Sequence, residues 1–389
     1  MKKRILSALL ALCMVFALGT VGAMATDEPV IEPGTTGRTL YVSEDGVDGN
    51  AVTDATTDFK WLGAAINNAE SGDTIIVQYS FTAGNHNVTP GNDPTGIYNI
   101  NKDLTIKGEG NVTITAGGSN ITRDIHLFNI TSGEVTIENI TIAGANTASG
   151  HPIKHGIHVY NNADVTLKNV TVNNCYGYGL VVNNGGSVEA DGFTASGNAW
   201  GGVIVDAKSR QASLTLTDST VTNNGSTNSI SVVLDSAESG TNTVKLDGGN
   251  YQTVMTNNAD SSKNPPVERS KGTNNITISG STVSTLSVNG TGQDIVEIVD
   301  NATITSISGG NNQTGTSISV NGSTVKEEPN FTSNNNIKFT YVNSNIGDKT
   351  GVTSEGVVAT IGGQGYPPLK AALEAANGMS GTDTVVIEL

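Results

Sequence analysis

The chain has 389 residues, of which 14% are charged, 5% are aromatic and 47 are glycine. Val, Ile and Leu recur at strand period throughout, which argues against a disordered chain and favours an all-β repeat protein. The formal net charge of −16 argues against nucleic acid and anionic membrane surfaces as partners, because like charges repel.

Residues 1–25 predict a secretory signal peptide, because three cations are followed by an apolar run and the small-residue motif A-M-A. We therefore expect a secreted or extracellular protein without a membrane span in the mature chain. Residues 26–37, rich in Pro, Gly and Thr, predict a flexible linker. Cleavage leaves Cys175 as the single cysteine, so we expect no internal disulfide and a small, buried Cys175 side chain.

The first ordered segment predicts a strand, a helix and a second strand. Residues 38–42 form the first strand-like run, and FKWLGAAINNAESGDTIIVQ follows at 59–78. Asp58 or Thr57 is the expected helix cap, and S-G-D at 71–73 ends the helix before a strand at 74–77. Residues 83–97 contain two prolines and predict a loop. The apolar residues at helical spacing are Phe59, Leu62, Ile66 and Ala69.

A repeat begins in the strands that follow residue 104. Each unit of the first series has two short alternating strands separated by a two-residue kink. Its members are VTIENITIAG at 135–144, VTLKNVTVNN at 165–174, VEADGFTASG at 188–197 and LTLTDSTVTN at 214–223.

A second series of strands alternates with the first. GIHVY, GLVVN and GVIVD begin 23 residues apart at Gly156, Gly179 and Gly202, and a looser fourth member begins at Ile230, 27 residues after Val203. Their alternation predicts one buried face and one outer face. The residues expected on the outer face are His158, Val181 and Ile204.

The repeat favours coils stacked on one another. A single unit is too small to bury its apolar face, whereas stacking buries it in one continuous core. We expect Asn173 and its equivalents to form a side-chain ladder in this stack. A flat sandwich is the alternative, but it predicts hairpin turns, and the constant offset fits coils better. Strand-like runs continue to 337–342, which we expect to close the stack.

The helix-strand pattern returns near the C-terminus in LKAALEAANGMSGTDTVVIEL at 369–389. We therefore divide the mature chain into a main unit at 38–350 and the start of a second, truncated unit at 351–389. This division would make the chain a fragment of a longer surface protein. The alternative is that the second copy caps the far end of the same stack.

These motifs resemble those of the secreted right-handed parallel β-helix proteins of the pectin-lyase-like superfamily, and an adhesin-like bacterial member in particular. The resemblance rests on L-x-x-A-I-x-x-A with G-D-T-I-x-V, on LTIKGEG at 104–110, and on the VTIENITI-type coils. It implies an all-β, right-handed parallel β-helix solenoid with an N-terminal amphipathic capping helix, which would cover the open end of the core.

Catalysis is not expected from the motifs. The superfamily includes pectate lyases and polygalacturonase-like hydrolases, but the N-T-D, G-H-G and R-I-K motifs of the hydrolases and adjacent Asp pairs are absent from this sequence. Asp191, Asp206, Glu189 and Lys154 lie within two or three coils but need not converge. We therefore assign no catalytic residue, metal or cofactor.

The segment HPIKHGIHVY at 151–160 holds three of the five histidines. At the 23-residue offset it lies beside the aromatic residues of the next two coils, which predicts a platform for stacking sugar rings. The alternative for the aromatic residues is packing over the coil edge. A zinc site is not assigned, because no helix fixes the spacing of the histidines. The candidate residues are His155, His158, Tyr160, Tyr176, Tyr178, Trp200 and Asp206.

The expected function is non-catalytic binding or display at the cell surface, with a polysaccharide or host glycan as partner. One alternative is a polysaccharide lyase or glycoside hydrolase with a degenerate site on the coil face. Another is a purely structural stalk.

Overall fold

The structure is a computed structural model. Residues 1–36 and 37–389 form separate units, and all described residues belong to the second. The predicted signal peptide, linker residues 26–36, His151 and the helix-like stretch 369–376 lie outside the described residues. The described ranges are 37–47, 58–83, 96–117, 125–146, 153–225, 229–235, 239–256, 272–289, 292–310, 315–331, 337–354, 359–361, 364–366 and 387–388.

Among the described residues the regular elements are β-strands, apart from one helix, α1 (Leu62–Asn68). The strands of the first half are β1 (Thr39–Val47), β2 (Asp58–Phe59), β3 (Asp73–Val77), β4 (Phe81–Ala83), β5 (Gly96–Ile100), β6 (Leu104–Ala116), β7 (His126–Ile130), β8 (Glu134–Ala143), β9 (Ile157–Val159), β10 (Asp164–Lys168), β11 (Thr171–Asn173), β12 (Tyr178–Asn183), β13 (Ser187–Asp191), β14 (Thr194–Ser196) and β15 (Gly201–Asp206). Those of the second half are β16 (Gln211–Val221), β17 (Ile230–Asp235), β18 (Thr241–Thr256), β19 (Thr273–Ser279), β20 (Thr282–Val288), β21 (Gln293–Val299), β22 (Thr303–Gly309), β23 (Ser317–Asn321), β24 (Thr324–Val325), β25 (Lys338–Val342), β26 (Ser344–Ile346), β27 (Lys349–Val352), β28 (Ala359–Ile361), β29 (Gln364–Tyr366) and β30 (Ile387–Glu388).

The strands from β1 to β26 stack in parallel, and each coil turns through three faces. The first face runs from β1 through β3, β6, β8, β10 and β13 to β25. The second runs from β4 through β11 and β14 to β26. The third contains β5, β7, β9, β12, β15 and β17. This architecture confirms the predicted parallel β-helix solenoid, whereas its handedness stays a prediction.

The 23-residue offset is confirmed on the third face, where Leu180 pairs with Ile157 in the preceding coil and with Val203 in the next. The fourth member, β17, begins at Ile230 as predicted and pairs with β15, but Val203 pairs with Val232 and not with Ile230, so the predicted 27-residue register is wrong. Ile230 lies two residues earlier on its strand, against Gly201 on the outer side. The first apolar residue of a strand therefore does not mark the inward position.

A stacked corner separates the first face from the second, at the predicted kink. Residues there have positive φ, a conformation that Asn, Asp and Gly adopt at the lowest cost. The Nδ2 of Asn169 donates a hydrogen bond to Oδ1 of Asn139 in the preceding coil, at 3.2 Å. The corner residues with positive φ are Asn139, Asn169, Gly192, Asp218 and Gly248.

The predicted ladder at Asn173 is wrong. Its neighbours in register are Ala143 and Ser196, whose side chains provide no matching amide. Amide side chains of successive coils are instead bonded to each other at the corner, where Asn169 donates to Asn139, and inside the stack, where Asn198 donates to Asn224 and Asn242 donates to Asn274. Ladders depend on residues that recur at one register position, which the sequence spacing around Asn173 did not reveal.

Helix α1 is shorter than predicted, because Asp58 and Phe59 pair with β1 as a strand. Trp61 is its N-cap residue and makes no side-chain capping bond, so the predicted cap at Asp58 is wrong. Thr57 lies outside the described residues. The helix buries Leu62 and its other apolar residues against the first strands. The predicted role of the helix in closing the open end stays a prediction.

Asp73, predicted to end the helix, begins β3 and joins it to the start of the chain. Its carboxylate is buried and accepts hydrogen bonds from the guanidinium and backbone N–H of Arg38 and from the backbone N–H of Glu70. Burial alone would raise the pKa of Asp73, but these hydrogen bonds outweigh it and hold the pKa below its usual value.

The parallel stack ends differently on two faces. On the first face β25 is the last described strand, as predicted, whereas on the second face β26 follows and pairs antiparallel with β27. This hairpin covers a strand edge that would otherwise expose unpaired backbone groups. β28, β29 and β30 form a separate antiparallel sheet. The predicted second unit at 351–389 stays a prediction, because its helix lies outside the described residues.

Candidate functional site

Histidine and tyrosine rings form a column on the outer side of the third face. The column contains His126 of β7, His155 just before β9, and Tyr178 at the start of β12. The rings of His126 and His155 are stacked, with 5.0 Å between centroids, and the centroids of His155 and Tyr178 are 5.8 Å apart. The backbone sets this arrangement, because the N–H of Leu127 donates to the carbonyl oxygen of His155.

Trp200 lies just before β15 and completes the column. Its backbone N–H donates to the carbonyl oxygen of Gly177, at 3.1 Å. Its ring centroid is 5.7 Å from that of His155, 6.0 Å from that of Tyr178 and 5.6 Å from that of Tyr176. The residue is 41% exposed, whereas His155 is only 7% exposed. The cluster therefore presents one large apolar ring to solvent on a support of other rings.

Gly177 makes this close packing possible. A Cβ atom at this position would lie 2.5 Å from Cε1 of His155, closer than side-chain atoms approach one another. The absence of a side chain leaves room for the His155 ring beside the backbone of the next coil. Gly177, the first residue of G-Y-G at 177–179, therefore has a packing role in addition to its place in the repeat.

A second group of rings and amides lies beside this column. Nδ1 of His158 is 3.1 Å from Oδ1 of Asn129, whose Nδ2 donates to Oδ1 of Asn99 at 2.9 Å. The ring of His158 also stacks on that of Tyr160, with 4.8 Å between centroids, and lies 4.6 Å from the ring of His126. His126 therefore links the two groups into one continuous set of ring contacts.

The site carries positive charge in an acidic chain. Nζ of Lys154 lies 6.0 Å from the Trp200 ring centroid, a cation–π distance. Burial lowers the pKa of His155 well below its usual value, and the neighbouring His126, His158 and Lys154 lower it further. His155 is consequently neutral at pH 7.

The structure thus brings together six of the seven predicted residues: His155, His158, Tyr160, Tyr176, Tyr178 and Trp200. Asp206 lies at the far end of β15, about 17 Å along the strand from Gly201. Its Oδ1 accepts a hydrogen bond from the backbone N–H of Lys208. Asp206 is therefore on the same face but at a distance from the exposed tryptophan.

The carboxylates considered for catalysis do not share one surface. Glu189 and Asp191 belong to β13 on the first face, whereas Asp206 belongs to the third. In the part of the chain that the structure describes, no group of three His, Cys, Asp or Glu residues has the arrangement of a metal site. His126 was not among the predicted residues, although H-L-F-N-I at 126–130 repeats the alternation of the third-face strands.

Within the described ranges, no helix has the length and apolar character that crossing a bilayer requires. Comparisons with protein-family models, with curated proteins and with solved structures found no match to this chain.

Proposed function

We propose that the chain is a secreted or cell-surface bacterial β-helix protein that binds glycans without chemical turnover, in the manner of an adhesin. The proposal includes membership of the pectin-lyase-like superfamily, which the sequence motifs suggest, and a right-handed coil. The face around Trp200 would be the binding surface, and the partner would be a polysaccharide or a host glycan.

The exposed Trp200 ring carries this proposal. Sugar rings bind by stacking their C–H faces on aromatic surfaces, and an aromatic side chain supported from below keeps one orientation. Tyr176, Tyr178 and His155 provide that support through the ring contacts described above. Nζ of Lys154 adds a hydrogen-bond donor close to the same ring.

A glycan array probed with the full chain tests the proposal. We expect bound glycans whose signal falls at least about fivefold in Trp200→Ala, because loss of a stacked aromatic ring costs roughly 1–3 kcal/mol. Val47→Ala is a matched control, since among the described residues Val47 is the other large apolar side chain with high exposure, at 62%, and it belongs to β1. The control variant should bind as the unmodified chain does.

The alternatives give different results in the same experiments. A structural stalk gives no bound glycan. Equal glycan binding by Trp200→Ala and the unmodified chain would contradict the hypothesis that the aromatic residues form the binding platform. A lyase would release unsaturated products, detected by absorbance, from acidic polysaccharides with calcium. Loss of that product in His158→Ala or Asp206→Ala would replace the binding proposal with the catalytic one.

A further inference from the structure

Three histidines of the third face lie in one cluster, which we call the histidine cluster: His126, His155 and His158. The His126 ring is stacked on His155 with an interplanar angle of 9°, and its centroid lies 4.6 Å from that of His158. His155 and His158 have 6.4 Å between centroids. His126 and His155 are 6% and 7% exposed, so water screens their charges only weakly.

The hydrogen bond of His155 requires the neutral ring. The backbone N–H of Tyr178 donates to Nδ1 of His155, at 2.9 Å. A backbone N–H can only donate, so Nδ1 must offer a lone pair and the proton of the neutral ring is on Nε2. A second proton would bind at Nδ1 and point at the Tyr178 N–H. Protonation therefore breaks a hydrogen bond between neighbouring coils.

The basic side chains around His155 all oppose its protonation. Lys154 in its own segment, and His126 in β7 and His158 in β9 when they are protonated, are the groups whose positive charge opposes a proton on His155 within the described residues. Tyr178 and Trp200, which pack on it from β12 and from just before β15, are uncharged aromatic residues. A proton on His155 adds repulsion to the lost hydrogen bond.

We propose that the histidine cluster is an acid-sensitive latch for the aromatic face. At neutral pH the uncharged His155 holds Tyr178 and Trp200 against the third face. Upon acidification, protonation separates the His126 and His155 rings, breaks the Tyr178 N–H bond and releases Trp200 from its support. The rest of the solenoid keeps its fold, because its core is packed independently of these outer rings.

The direction with pH follows from proton binding. A histidine free in water has a pKa of about 6.5, and the closed latch binds the proton less readily than the open one. The closed state is therefore fully stable above about pH 6.5 and is lost as the pH falls below it. Each proton taken up shifts the equilibrium towards the open state by up to about tenfold per pH unit.

The test uses the fluorescence of Trp200 in the full chain with Trp61→Phe, which leaves Trp200 as the single tryptophan. No glycan is added, so the result is independent of the proposed function. Between about pH 8 and pH 5 we expect a red shift of emission and stronger quenching by acrylamide, reversible on return. In His155→Asn, whose Oδ1 can still accept the Tyr178 N–H, the shift should be absent.

Two controls separate the latch from other effects. His126→Phe keeps a stacked ring but removes one charge, so the transition should move to lower pH than in the unmodified cluster. Far-UV circular dichroism must stay constant through the transition, and its parallel loss would mean general acid unfolding and overturn the proposal. A shift retained in His155→Asn would also overturn it.

Amide exchange provides a second measurement in case His155→Asn fails to fold. In the unmodified chain the Tyr178 amide should lose protection below about pH 6.5, after correction for intrinsic exchange, while the amide of Leu180 in the same strand stays protected. Equal protection of both amides from exchange below about pH 6.5 would overturn the latch.

Discussion

Tyr98 places a hydroxyl group inside the core of the solenoid. Its side chain is fully buried and its ring packs against that of Phe128, with 5.3 Å between centroids. The hydroxyl has no hydrogen-bond partner among the described residues. Burial raises the pKa of the phenol well above its usual value, so the group stays neutral. A buried hydroxyl without a partner costs roughly 1–3 kcal/mol of stability.

We expect Tyr98→Phe to raise the free energy of unfolding by about 1 kcal/mol, because it removes the buried hydroxyl and keeps the ring. Chemical denaturation followed by circular dichroism measures the change. Tyr251→Phe is the matched control, since its hydroxyl donates to the carbonyl oxygen of Gly248 at 3.3 Å, and its loss should lower stability by up to about 1 kcal/mol. Destabilisation by Tyr98→Phe would mean that the hydroxyl contributes favourably.

The sequence predicted the positions of individual residues well where successive coils have the same length. Cys175 is buried as expected, and burial raises the pKa of its thiol. Tyr178 and Trp200 lie beside His155 because a constant 23-residue coil places equivalent residues next to each other. His126 escaped prediction because its coil has a different length and lacks the glycine that marks the later third-face strands.

At the scale of an element, the turn between the second and third faces is held by a buried amide ladder. Oδ1 of Asn198 accepts the backbone N–H of Cys175 at 2.9 Å. Its Nδ2 donates to the carbonyl oxygen of Val172 and to Oδ1 of Asn224 in the next coil. One side chain thus satisfies backbone groups that the turn leaves without strand partners, which links three successive coils.

Asn198→Ala should destabilise the chain by about 3 kcal/mol, because it leaves several buried polar groups without partners at once. Asn173→Ala is the control, since that side chain lies at the surface of β11 and accepts a bond from Asn174 only 1 residue away. We expect it to cost less than about 1 kcal/mol. Thermal unfolding of both variants measures the difference, and equal losses would contradict the structural role of the buried ladder.

The sequence predicted strands more reliably than the ends of elements. Alternation over several repeats correctly predicted that β10 pairs with β13 and that β12 pairs with β15. Helix α1 begins later than its apolar spacing suggests, because strand pairing of Asp58 and Phe59 with β1 takes precedence over helical propensity. Ladder positions also depend on exact register, which differing coil lengths obscure.

At the scale of the whole molecule, stability should be local along the solenoid axis. Each coil of the parallel stack pairs with the coil before and the coil after it, so the free energy is a sum of coil and interface contributions. Leu180 is buried between Ile157 and Val203 in the middle of the stack. Ile346 is buried in β26, the first strand of the terminal hairpin.

We expect Leu180→Ala and Ile346→Ala each to cost about 2–5 kcal/mol locally, because both leave a cavity. In hydrogen exchange with mass spectrometry, the first should lower protection most in β9, β12 and β15, and the second in β24 and β26. Each variant is the control for the other, since the chemical change is similar and only the position differs. A uniform loss of protection across β9 and β26 in both variants would contradict nearest-neighbour coupling, because a single cooperative unit transmits damage equally to every coil.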